Sequence, residues 1–428
     1  MESSTIALII VGIMLILYIT ELLPIATTSI LACLALAVFG VIPVNAAFAG
    51  FGNDIVFLIV GMVTVGAALF ETGVAQLVGN KIISLVGTNE RIFMLALVPV
   101  TAIMSAFLNN TATSAMMLPI AGSAIAMSGG KLTRKNTYMM IGIIAVLGGN
   151  LTLVGSTPQL IAQGFLLEGG HETMSFFELS RSGLPILILA VIFFQTIGLK
   201  MQKKFFDFPD PGNIDPVIKE EGEAPKSVAR MIICVSILVF CIAGFLTEQY
   251  DWAFWSVGIV AMTGAVACVA TGCISQKRVF EKMDWTTVVI LGASFGISSG
   301  IEQSGAGELI ANTVINILGD RITPWLLSSV LAFLAIVLSN FMSNTGTAAL
   351  LVPIAGSLAI TLGYDVKSLV MVVAISANIA YATPVSTPPI TMTLVGGYRF
   401  KDYIKVGGAF NLLAFILLVL LFPFILNI

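Results

Sequence analysis

The chain has 428 residues, 57% of them hydrophobic and only 10% charged, with a mean hydropathy of +1.02 and a formal net charge of −3. A soluble domain ordinarily carries about 25% charged residues, so the composition excludes a soluble enzyme and puts the chain in a bilayer. No dense basic patch supports nucleic-acid binding, and the single histidine, His171, lies in a polar loop, which argues against a histidine metal centre or a catalytic triad.

A spanning helix needs about 20 apolar residues, and fewer where it is short or broken. In chain order the predicted spans are 4–20, 25–42, 54–72, 136–168 (broken in the middle), 183–200, 229–247, 252–273, 286–302, 366–398 (also broken) and 402–427. No basic residue precedes the first apolar run and a second run follows it, so it reads as a span and not as a cleavable leader. Two further apolar stretches, 92–127 and 323–362, turn back at polar centres, Asn109-Asn110-Thr111 and Ser343-Asn344-Thr345. Both are predicted to be re-entrant hairpins, because non-helical backbone at membrane depth survives only inside protein or beside water. The polar, proline-rich segment 201–228 is predicted to link two halves, 1–200 and 229–428.

Charge gives the orientation. With the N-terminus outside, seventeen of the twenty basic residues fall on inside segments, and only Arg181, Arg321 and Lys367 fall outside. A multi-pass protein of a bacterial or archaeal inner (plasma) membrane is expected, with both termini outside. The cysteines Cys33, Cys234, Cys241, Cys268 and Cys273 lie in or beside apolar runs without a CxxC, and read as small buried hydrophobes.

The halves repeat each other. Asn110-Thr111-Ala112-Thr113 with Leu118-Pro119-Ile120-Ala121-Gly122-Ser123 recurs 234 positions later as Asn344-Thr345-Gly346-Thr347 with Val352-Pro353-Ile354-Ala355-Gly356-Ser357. Ser156-Thr157-Pro158 recurs as Ser386-Thr387-Pro388. Each half has five spans, one of them broken, and one hairpin. Five is odd, so the second half enters the bilayer inverted, as in secondary transporters. The fold class is an all-α polytopic membrane protein built from two inverted repeats.

A helix that starts at a hairpin tip exposes unpaired N–H groups and carries roughly half a positive charge there. Two such tips, with Asn110, Thr111, Asn344 and Thr345 as short donors, make an anion site without Lys or Arg. Oxygens of Ser105, Asn109 and Asn110, and of Ser339, Ser343 and Asn344, have the opposite preference and suit a desolvated Na⁺. The broken spans would add carbonyls near Gly149 to Thr152 and near Ala380 to Thr383. Ser and Thr in membrane helices also back-bond to carbonyls, and Asn also glues helices together; their recurrence at two related tips favours the functional reading. Thr383-Pro384 and Ser386-Thr387-Pro388-Pro389 force an unwound stretch, since proline removes donors and restricts its predecessor. Glu21, Glu71 and Glu302 read as interfacial carboxylates, with proton coupling as the sharper alternative.

The twin tips, the phrase Ala382-Thr383-Pro384-Val385-Ser386-Thr387-Pro388-Pro389 and Ile19-Thr20-Glu21-Leu22-Leu23-Pro24 resemble the divalent anion/sodium symporters over nearly the whole chain. The resemblance implies a homodimeric elevator transporter of C4-dicarboxylates (succinate, malate, fumarate), tricarboxylates or sulfate, usually coupled to Na⁺. It assigns substrate to Asn110, Thr111, Asn344, Thr345, Thr383 and Pro384, and Thr152 of the first broken span is counted with them. It assigns Na⁺ to Ser105, Asn109 and Asn110 and to Ser339, Ser343 and Asn344, with backbone oxygens near Leu151 and Ala382. The sequence departs from the family at the first tip, Asn-Asn-Thr in place of Ser-Asn-Thr, and at Gly155-Ser156-Thr157-Pro158-Gln159, where a Thr-Pro-Pro-Asn-like phrase is usual. A dicarboxylate exchanger without Na⁺ coupling, and a carrier of citrate, sulfate or arsenite, stay open as alternatives.

Overall fold

The computed structural model describes residues 2–20, 22–74, 77, 89–209, 227–247, 256–309, 312–313 and 322–425. Glu21, Arg321 and most of the expected 201–228 linker lie outside them. The regular secondary structure of the described residues is all helical, with no strand among them.

In the first half, α1 (Ser3–Thr20) and α2 (Ile25–Val38) are separated by a break at Pro24, whose ring suits a helix start. Asn53 begins α3 (Asp54–Glu71) by accepting from the Ile55 N–H at 2.9 Å, and Asn89 caps α4 (Glu90–Phe107) in the same way. The chain then takes two extended residues, Leu108 and Asn109, and starts again as α5 (Asn110–Met127). The helix α6 (Arg134–Gly149) stops at consecutive glycines, and after an irregular stretch α7 (Thr157–Glu168) begins with Pro158 in its first turn. The half ends with α8 (Ser180–Gln195), which bends by 49° into α9 (Ile197–Phe205).

The second half runs α10 (Val228–Leu246), α11 (Val257–Ala270), α12 (Trp285–Gln303), α13 (Pro324–Ser339), α14 (Asn344–Leu362), α15 (Val366–Ala377), α16 (Pro388–Met392) and α17 (Gly408–Ile425). By length and composition five described helices can cross a bilayer: Asp54–Glu71, Glu90–Phe107, Val228–Leu246, Asn344–Leu362 and Phe400–Phe424, with the bent Ser180–Gln195 pair as a sixth. Other apolar helices, such as Ile25–Val38 and Val366–Ala377, are shorter. Among the described residues, full-length helices are therefore fewer than the spans read from hydropathy; α6 and α7, and α15 and α16, are separated by breaks where broken spans were expected, and such breaks are tolerated where neighbours satisfy the freed backbone groups. Two helices expected as hairpin arms, Glu90–Phe107 and Asn344–Leu362, are themselves of spanning length.

The helices fall into two packed sets that meet at α12, which packs on α7 and α14 as well as on α2. In one, α3 lies along α11, α10 packs on both, and α2 packs on α12. In the other, α4 and α5 pack on α6, and α13 and α14 pack on α15. Each short helix after a break crosses to the opposite half: α7 packs on α14 and α15, and α16 packs on α5 and α6.

Asp54 ties the first group together. One carboxylate oxygen accepts from the Ser256 hydroxyl at 2.6 Å and the other from the Gly258 N–H at 3.0 Å, so an anion sits at the start of α11. Asp54→Ala leaves those donors unpaired and is expected to cost about 1–3 kcal/mol. The measurement is a lower thermal unfolding midpoint of the purified protein; an unchanged midpoint would show the contact to be idle.

Candidate functional site

The two tips and the two breaks enclose one cavity of about 360 Å³. Four helices begin on its wall: α5 after Asn109, α7 after Ser156, α14 after Ser343 and α16 after Thr387, and each of these preceding residues lines it. The first N–H groups of α5, α7 and α14 lack intrahelical partners, and their dipoles add partial positive charge; α16 opens with Pro388-Pro389, which have no N–H, and its next two N–H groups bond to the Thr387 carbonyl, so it adds no free donor. Among the described residues no Lys or Arg lines the cavity. Its one charged lining residue, Asp284, is committed to the start of α12, where it accepts from the Thr287 N–H at 3.1 Å and hydroxyl at 2.6 Å. The wall offers donors to an anion and no fixed cation to hold it.

At the first tip, Asn109 Oδ1 accepts from the Thr111 N–H at 2.8 Å and so caps α5. The Asn110 amide meets Ser105, Ala145 and Gly155. With its nitrogen turned to them it donates to the Gly155 carbonyl (2.9 Å), the Ala145 carbonyl (3.0 Å) and Ser105 Oγ (2.7 Å). With its oxygen turned to them, it accepts from Ser105 but otherwise faces carbonyls, an all-oxygen cluster that is favourable only around a cation. The fit is close because Gly149 has no side chain: a Cβ there would lie 2.7 Å from Asn110 Oδ1 and 2.9 Å from the Gly155 carbonyl.

At the second tip, Ser343 Oγ accepts from the Gly346 N–H at 3.0 Å. Asn344 Nδ2 donates to Asn378 Oδ1 at 3.1 Å, while Asn344 Oδ1 and Ser339 Oγ are buried with no partner among the described residues. The Asn344 oxygen can only accept, which suits a cation and not a carboxylate, whereas the Ser339 hydroxyl can accept or donate.

Asn109, Asn110, Thr111, Ser343, Asn344 and Thr345 all line the cavity. Ser105 and Ser339 lie buried behind their tips. Thr383 and Pro384 do not line it: Thr383 Oγ1 donates to the Asn340 carbonyl at 2.5 Å, and the Ala382 N–H donates to Asn340 Oδ1 at 2.8 Å. Thr152 is also away from the wall, donating to the Ala106 carbonyl, and Leu151 does not line it. The second break reaches the cavity instead with Ser386, Thr387, Pro388 and Pro389, and the first with Ser156, Thr157 and Pro158. These two Ser-Thr-Pro triplets recur in the sequence, and that recurrence was the available signal. Asp284 also went unread, although an Asp directly before an apolar run is a helix-start signal. Glu71 pairs with Arg278 at 3.7 Å and, like Glu302, is off the cavity.

A family described as citrate transporter matches residues 15–367 and 251–428. An uncharacterized transporter of Haemophilus influenzae is 30% identical over 421 residues, covering 94% of this chain and 88% of its own length. The sodium-dependent dicarboxylate transporter SdcS of Staphylococcus saprophyticus is 27% identical over 441 residues, with 95% and 83% covered, and that of Staphylococcus aureus 25% identical over 443, with 96% and 84% covered. Among solved structures, the YdaH transporter of Alcanivorax borkumensis superposes with a TM-score of 0.64 at 14% identity, covering 92% of this chain and 88% of that one. MtrF of Neisseria gonorrhoeae gives 0.58 at 15%, covering 91% and 83%. At these identities the likeness to both structures is one of fold.

Proposed function

Since the chain belongs to the citrate transporter family, resembles dicarboxylate transporters of the divalent anion/sodium symporter type, and is a multi-pass membrane transporter and not an enzyme, we propose that it carries C4-dicarboxylates by Na⁺-coupled symport. The observation that carries this reading is the cavity on which α5, α7 and α14 present their first N–H groups, lined by Asn110, Thr111, Asn344, Thr345 and the two Ser-Thr-Pro triplets and free of Lys and Arg among the described residues. Each tip, with the helix start beside it, would take one carboxylate of a short diacid. In this reading Thr157 and Thr387 replace Thr152, Thr383 and Pro384 as substrate contacts.

Na⁺ travels here as a second substrate. Ser105 Oγ, Asn110 Oδ1 and the Ala145 and Gly155 carbonyls would hold one ion; Ser339 Oγ and Asn344 Oδ1 would contribute to a second. An ion at the first tip turns the Asn110 oxygen inward and its nitrogen toward the cavity, so cation and anion bind on opposite sides of one amide. The names of the SdcS relatives support Na⁺ as the coupling ion. The division into two helix groups supports alternating access by movement of the tip-bearing group against the other. That other group would hold a homodimer in the bacterial plasma membrane. The charge asymmetry supports an orientation with both termini outside.

Uptake of labelled succinate into proteoliposomes tests the proposal. An inward Na⁺ gradient is expected to drive accumulation. Uptake indifferent to Na⁺ but dependent on internal dicarboxylate would make the protein an exchanger. No uptake of succinate, malate or fumarate, with uptake of citrate, sulfate or arsenite, would move the substrate to that anion.

A further inference from the structure

Behind the cavity, a line of buried amides joins the first break to the second tip. Gln159 Nε2 donates to the Gly149 carbonyl (3.2 Å) and to Asn150 Oδ1 (2.7 Å). Asn378 Nδ2 donates to the same Asn150 Oδ1 (2.7 Å). Asn378 Oδ1 accepts from Asn344 Nδ2 (3.1 Å) and from Ser156 Oγ (2.9 Å). Asn150, Gln159 and Asn378 are 0% exposed. Asn150 and Asn378 occupy equivalent places, each directly after the helix that precedes a break.

The direction of these bonds is not free. A backbone carbonyl only accepts, so Gly149 obliges Gln159 to present its nitrogen. Asn150 must then present its oxygen to Gln159. Asn378 must answer that oxygen with its own nitrogen, which turns its oxygen to Asn344. Asn344 in turn must present its nitrogen, and its oxygen is left bare and buried at the end of the line, while Gln159 Oε1 and Asn150 Nδ2 are buried without a partner along it. The polarity of the line is set at Gly149, the residue packed against Asn110 of the first tip.

We infer that Gln159, Asn150 and Asn378 are positioning residues that hold the Asn344 oxygen toward the second cation position. The geometry of the first break thereby sets cation affinity at the second tip. The inference rests on the reading of Asn344 as a Na⁺ ligand. It needs none of the three residues to touch either substrate, and none of them lines the cavity. Buried amides that served only as helix glue would change stability without selectively changing the cation response.

The test is a Na⁺ titration of succinate uptake in proteoliposomes, together with Na⁺-induced thermal stabilisation of the purified protein without succinate. Gln159→Met keeps side-chain length and removes every hydrogen bond; Asn150→Ala breaks the next link. Each is expected to raise the half-saturating Na⁺ concentration about tenfold, in line with the loss of an outer-shell partner of a metal ligand. The KM for succinate at saturating Na⁺ should stay within about twofold of the wild-type value, since no cavity contact is lost. Asn344→Ala should shift Na⁺ dependence as well, and adding Gln159→Met to it should shift it no further, because the relay acts through Asn344. If Asn344→Ala alone leaves the Na⁺ response unchanged, the ligand reading falls and takes the relay with it. If Asn344→Ala shifts the response but Gln159→Met and Asn150→Ala do not, or if the Gln159 and Asn344 effects multiply, the relay is wrong and the ligand reading stands.

Discussion

Asn110→Ala is expected to lower Na⁺-driven dicarboxylate uptake about 100-fold at normal levels of folded protein, since one lost bond to a charged partner is worth about 1.5–3 kcal/mol and each 1.4 kcal/mol is tenfold. The effect is large because this side chain occupies a joint shared by three elements. It sits 2.7 Å from Ser105 Oγ on α4, 3.0 Å from the Ala145 carbonyl on α6 and 2.9 Å from the Gly155 carbonyl in the first break. It is also the first residue of α5. An alanine leaves the Gly155 carbonyl without its amide donor and the Ala145 carbonyl with the Ser105 hydroxyl alone, and gives a cation one oxygen fewer. Initial uptake rates with and without a Na⁺ gradient, normalised to protein in the membrane, decide it. Rates within twofold of wild type would remove the first tip from the site.

Gly407→Ala is expected to abolish recovery of folded protein. A Cβ at this position would lie 1.8 Å from the Tyr381 carbonyl oxygen and 2.6 Å from its carbonyl carbon. Backbone cannot rotate away as a side chain can. Tyr381 is fully buried in the second break, and its N–H donates at 3.1 Å to Asn411 on α17, the helix that Gly407 leads into. Relieving the clash would separate α17 from the break, at about 3 kcal/mol or more. Size-exclusion profiles and thermal unfolding of the solubilised protein report it. Gly12→Ala, where a new Cβ meets nothing within 4 Å, is the control and should leave both unchanged. A monodisperse Gly407→Ala protein with a wild-type midpoint would show the contact to be adjustable.

Much of the helix layout was readable from residues, because stopping and restarting a helix in apolar surroundings needs particular ones. Asn109-Asn110-Thr111 and Ser343-Asn344-Thr345 stand out in apolar surroundings, and the structure starts α5 and α14 at Asn110 and Asn344. Proline marked both broken spans. It did not say which proline starts a helix at the cavity: Thr383-Pro384 and Thr387-Pro388 have the same local chemistry. Only packing separates them. It gives Thr383 to the Asn340 carbonyl and makes Thr387 the residue before α16. The amide line was invisible for a different reason. Asn150 and Asn378 are 228 residues apart, and a lone Asn in an apolar run looks the same whether it pairs with a distant amide or with a neighbouring carbonyl. The five cysteines are buried and unpaired, as composition implied.

The absence of Lys and Arg from the cavity wall has a thermodynamic consequence. An arginine would hold a dicarboxylate on both sides of the membrane regardless of the ion supply. Here the full positive charges opposite a diacid would arrive with Na⁺, and the two affinities are then reciprocal: whatever factor Na⁺ adds to anion binding, the anion adds to Na⁺ binding. The same wall would load where Na⁺ is abundant and unload where it is scarce, with no residue of its own changing charge. If the proposed Na⁺ coupling holds, Thr111→Lys or Thr345→Lys would fix the charge in place and give a tight, slow binder whose anion affinity no longer follows Na⁺.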